Sequence, residues 1–76
     1  MFKMYGDYKF KLEKDYYEND KNGNYFTVSK FVNNKIYQII FYNKNGVVLL
    51  EKNIEIEDNE IEKEIIKIVN EIESII

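Results

Sequence analysis

The residues of this chain that could do chemistry are carboxylates, lysines and tyrosines. Histidine, cysteine, tryptophan and arginine are absent from its 76 residues. Ser29, Ser74 and Thr27 therefore have no imidazole base, and a lysine base would need a desolvated setting that the pattern does not indicate. Glu55 and Glu57 alternate along one segment, but a pair of acids works as acid and base only where a cleft separates their pKa values. Gly6, Gly23 and Gly46 are scattered, so no glycine-rich loop cradles a phosphate. With neither Cys nor His, the usual zinc ligands are missing, and no calcium-type loop is present. The expectation is no catalytic residue, no metal, no cofactor and no enzyme.

Charge is divided along the chain. Residues 1–50 hold eight lysines against five acids, or +3, whereas residues 51–76 hold three against nine, or −6. Glu51, Glu55, Glu57, Asp58, Glu60, Glu62 and Glu64 fall within one short stretch. Such carboxylates are either a solvated edge with acids favoured at a helix N-terminus, or a ridge that meets a partner's basic surface. The partner implied by the second reading is a protein with a basic surface, such as a nucleic-acid-binding effector.

The elements that must position these groups follow from periodicity. Tyr8, Phe10 and Leu12 alternate with Lys9, Lys11 and Glu13, which places a strand over about residues 7–13. The cluster from Asn19 to Asn24 is rich in turn formers. Strands are expected over 25–32 and 35–42 around an Asn33-Asn34 turn, and over 47–56 after Asn45-Gly46. These turns put Phe26, Val28, Tyr37, Ile39, Phe41, Val48 and Leu50 on one face. A helix is expected over about 59–75, with Asn59 and Glu62 at capping-box spacing. Its stripe of Ile61, Ile65, Ile68, Val69, Ile72, Ile75 and Ile76 would dock on that face, with Ile66 off the stripe. The fold class is α+β: one domain, a three- to four-stranded antiparallel meander and a C-terminal amphipathic helix.

The opposite face carries Tyr25, Phe31, Ile40, Tyr42 and Leu49, too apolar to be left bare. Either residues near Phe10, Leu12, Tyr16 and Tyr17 fold across it, or it binds a partner protein or a second copy of the chain. Single-stranded nucleic acid is the alternative, with Tyr25, Phe31 and Tyr42 under bases and Lys35 or Lys44 on phosphates. An acidic chain without arginine argues against it. No apolar run suits a signal peptide or a membrane span, so the expected location is the cytoplasm of a bacterial or phage-infected cell.

Abundant Ile, Lys, Asn, Tyr and Phe reflect AT-rich codon usage. In size, charge and composition the chain resembles small inhibitors that phages and mobile elements make against host defences, anti-CRISPR proteins among them, and bacterial immunity proteins. The resemblance implies a protein-binding inhibitor whose acidic stretch imitates phosphates or pairs with lysine and arginine.

Overall fold

In the computed structural model, which describes residues 4–75, six antiparallel strands run in sequence order and one helix follows them. The strands are β1 (Met4–Tyr5), β2 (Tyr8–Lys11), β3 (Tyr16–Asn19), β4 (Tyr25–Lys30), β5 (Ile36–Tyr42) and β6 (Val48–Glu55). A 3-10 turn, Asp58–Glu60, leads into α1 (Ile61–Ile75). The α+β class is as the sequence indicates, but the sheet has six strands rather than three or four.

The added strands come from the N-terminal third. Tyr16 and Tyr17 begin β3, which pairs Tyr17 with Phe26 and Phe10 with Tyr17. Residues 8–19 thus extend the sheet edgewise instead of folding across its second face. The expected strand over 7–13 is shorter because the chain turns after Lys11, where the Asp15 N–H bonds the Lys11 carbonyl at 2.8 Å and Asp15 takes a positive φ of 59°. Aspartate tolerates that conformation better than most side chains.

Pairing of β4 with β5 is centred on Asn33-Asn34: Phe26 opposes Phe41, Val28 opposes Ile39 and Lys30 opposes Tyr37. The next hairpin deviates from a two-residue turn. Asn43 donates its N–H to the Val47 carbonyl at 2.8 Å, Gly46 donates to Asn43 at 2.9 Å, and Gly46 has φ 86°. That is a three-residue connection with glycine at the left-handed position. A register shift then follows: Phe41 opposes Leu50, but Tyr42 opposes Val48, leaving Leu49 as the extra residue. Val48 consequently lies on the side opposite to the expected one and is 51% exposed.

The helix covers the face bearing Phe26, Ile39 and Phe41. These residues are buried together with Tyr5, Tyr8, Ile65, Ile68, Val69 and Ile72. Tyr17, Val28, Leu50, Ile54 and Ile61 pack at the margins. Ile66 remains exposed, as its position off the stripe implies, and Ile75 is also exposed; Ile76 lies outside the described residues. Burial of the four helix side chains Ile65, Ile68, Val69 and Ile72 is worth roughly 6 to 12 kcal/mol at about 1.5 to 3 each, an upper bound. The helix reaches as far as the first hairpin. A β-carbon on Gly6, whose φ is 59°, would sit 3.6 Å from a Val69 methyl.

The capping box does not form. Asn59 is inside the 3-10 turn, Glu57 is the cap residue, and no side chain bonds the cap. The first residues after β6 are instead held by long-range polar contacts. Ile56 N–H bonds the Lys35 carbonyl at 2.8 Å, and Asp58 is tied to β4 and β5 by side chains.

Candidate functional site

On the sheet side away from the helix, alternation places Tyr16, Glu18, Tyr25, Thr27, Ile40, Tyr42, Val48 and Glu51. Three of these form a row of stacked rings. Tyr16 and Tyr25 have centroids 4.5 Å apart at 26°, and Tyr25 and Tyr42 are 4.8 Å apart at 17°. The row exists because adjacent strands each carry a tyrosine in or near one cross-strand line, and aromatic cross-strand pairs stabilise a sheet. Thr27, Ile40 and Glu51 lie in the adjacent line.

The row is flanked by charges of opposite sign. At the β2–β3 end, Lys9 and Lys11 both reach Asp20, at 3.3 and 3.4 Å, and Lys14 lies 5.9 Å from the Tyr16 ring centroid. The hydrogen bond from Lys9 is the largest cause holding the Asp20 carboxyl below its ordinary pKa. Tyr16 donates its hydroxyl to Glu18 at 3.2 Å. At the other end, β6 places Glu51, Asn53 and Glu55 on the uncovered side, with Gln38 donating to Glu51 at 3.3 Å.

The structure divides the seven expected ridge acids into three groups. Glu51 and Glu55 border the uncovered face. Glu57 and Asp58 are engaged: Lys35 donates to Glu57 at 2.5 Å, while Lys30 (2.8 Å) and the Tyr37 hydroxyl (2.6 Å) both donate to Asp58 Oδ1. The Lys30 hydrogen bond is the main cause depressing the Asp58 pKa, and bonding to Asp58 and Glu57 raises those of Lys30 and Lys35 respectively. Glu60, Glu62 and Glu64 lie in the 3-10 turn and first helical turn, where acids favour the helix dipole. Of the seven acids, Glu57 and Asp58 have lysine partners.

The expected apolar residues also divide. Tyr25, Tyr42 and Ile40 come together in two adjacent lines, and Leu49 occupies the bulge beside them. Phe31 lies past the far end of β4, six residues from Tyr25 and so roughly 20 Å along the strand. Tyr16 and Val48 complete the patch and were not among the expected contact residues. The Tyr16 signal was available in the Tyr16-Tyr17 pair next to a turn cluster; Val48 needed knowledge of the bulge.

Two further arrangements have a structural role. Tyr5, Tyr8 and Tyr17 lie in or against the core, and burial raises the pKa of each phenol. The buried Asn19 side chain accepts the N–H groups of Lys21 and Asn22 at 2.8 and 3.2 Å, closing the β3–β4 turn. Among the described residues no group of three or more acids could hold a metal ion, and no helix is long and apolar enough to cross a membrane. Comparison with protein-family models, with curated proteins and with solved structures finds no match to this chain.

Proposed function

We propose that the chain is a protein-binding module of inhibitor type, which uses its uncovered sheet face to occupy a partner's basic surface. The observation that carries this reading is the Tyr16–Tyr25–Tyr42 row, with Ile40 and Val48 beside it, Glu51 at its margin and Glu55 farther along β6 on the same side. Tyrosine supplies large rigid contact area with a polar tip, and it is enriched where proteins meet. Glu51 and Glu55 supply the complementary charge that steers a basic partner and fixes its register. An anti-defence role, in which such a module blocks a nucleic-acid-binding effector, accords with this chemistry.

The ring geometry favours protein over single-stranded nucleic acid. Tyr25 has a tyrosine stacked on each side, so its faces are occupied and its edge and hydroxyl are what remain. A base needs a free face on which to stack. Phe31 is remote from the row, and Lys35 is paired with Glu57.

The test is differential capture from the native host with the tagged chain, an Ile40→Lys variant and a Lys63→Glu variant on the exposed side of the helix. Proteins retained by the parent and by Lys63→Glu, and lost by Ile40→Lys, are the expected result. An identical set from all three would contradict the use of this face.

A further inference from the structure

The two edges of the sheet are treated differently. One edge is β1, of which Met4–Tyr5 are described. The other is β6, eight residues and the longest strand in the protein, with no described strand beyond it. Val48 and Leu49 on it are 51% and 37% exposed. A long edge with apolar exposure is a liability unless it is charged or paired.

Backbone direction along this edge can be assigned. Ile56 N–H points inward to Lys35, and Ile56 and Lys35 continue the register in which Ile54 opposes Tyr37. Alternation then turns the N–H and C=O of Ile54 and Lys52 toward β5 and those of Glu51, Asn53 and Glu55 outward. The residues with outward backbone groups therefore also place Glu51 and Glu55 on the open side, separated by roughly 13 Å. Leu50, Lys52 and Ile54 face the helix side.

We infer that β6 accepts an additional antiparallel strand from a partner protein, and that this strand carries Lys or Arg opposite Glu51 and Glu55, apolar residues opposite Leu50 and Ile54, and an acid opposite Lys52. Main-chain bonds supply the adhesion in such strand addition, and alternate side chains supply the selectivity. A second copy of β6 fits poorly. The longest antiparallel self-pairings are centred on Glu51 or on Lys52, and each sets that charged residue opposite its own copy. A basic strand has the opposite relation: each cross-strand charge pair on the open side is attractive.

This inference rests on the protein-binding reading but not on the tyrosine row, and the experiment separates them. The probe is a synthetic peptide with the core Lys-Val-Thr-Glu-Lys-Val, which in antiparallel register sets its first lysine opposite Glu55 and its second opposite Glu51. Binding is followed by amide hydrogen exchange on the whole chain. The expected result is slowed exchange at Glu51, Asn53 and Glu55, with affinity that falls as salt rises. Glu51→Lys combined with Glu55→Lys should weaken this peptide about tenfold and strengthen one whose lysines are replaced by glutamate. Tyr16→Ala, on β3 and so three strands from β6, should leave peptide binding intact even where it weakens capture by the face. Equal binding of a peptide N-methylated at the residues opposite Glu51 and Asn53 would overturn the inference. So would absence of binding at low salt, or protection of those three amides in the free protein.

Discussion

Tyr25 and Tyr42 stack 17° from parallel across β4 and β5, and the Tyr25 hydroxyl lies 3.5 Å from where a β-carbon on Gly46 would be. The ring row and the turn that sets the β5–β6 offset are therefore neighbours. Gly46 permits the three-residue turn, the turn and bulge place Val48 rather than Leu49 opposite Tyr42, and the uncovered patch takes its form from that shift.

Gly46→Ala should accordingly destabilise the fold through its backbone. The added methyl meets only ordinary contact with Tyr25, so the cost is that of a left-handed alanine, about 1 to 2 kcal/mol. Urea unfolding measures it. A neutral substitution would show that the turn adopts another conformation at no cost.

Ile68 is fully buried and Ile66 is 46% exposed on the same helix. Ile68→Ala should cost about 2 to 5 kcal/mol, and Ile66→Ala under about 1. Equal losses would mean that the helix docks through a different stripe.

The core phenols set the alkaline limit. Burial raises the pKa of Tyr5, Tyr8 and Tyr17. In the unfolded chain these groups ionise first, so their contribution is complete below the ordinary tyrosine pKa and is lost as pH rises toward their folded values. Absorbance of tyrosinate against pH should show ionisation of these three coinciding with loss of the folded circular dichroism signal. Their ionisation in an intact fold would contradict the described burial.

Asp58 acts at the acid end. Its carboxyl is held below the usual range chiefly by Lys30, with Tyr37 next. A depressed pKa contributes stability above the unfolded aspartate value, and this is lost as pH falls through the folded value. Asp58→Asn should therefore lower stability at neutral pH and flatten the decline below about pH 4. Thermal unfolding across that range, at low and high salt, reads both effects; the pair is exposed, so salt should narrow the difference.

What could be read from the residues alone divides along physical lines. Long periodic segments declare themselves: Phe26 to Val28, Tyr37 to Phe41 and the isoleucine stripe of α1 each repeat often enough to define a face. Met4–Tyr5 has too few residues for any period, and it becomes a strand only because Gly6 turns the chain back so that Tyr5 meets Tyr8. Tyr16–Asn19 was hidden beside turn-forming neighbours. Val48 lies on the side opposite to the expected one because Asn45-Gly46 suits a two-residue turn as well as a three-residue one, and one residue of offset reverses a face. The acidic stretch was visible as composition, but the lysines that neutralise part of it are 22 and 28 residues away, and only the fold brings Lys35 to Glu57 and Lys30 to Asp58.

The most direct test of the central claim is photo-crosslinking in the native host. A photoreactive phenylalanine analogue replaces Thr27, which lies opposite Ile40 in the line adjacent to the tyrosine row, or Lys63 on the exposed side of the helix. The account expects a discrete crosslinked protein from position 27 and none from position 63. Crosslinks to a partner from position 63 alone would contradict it.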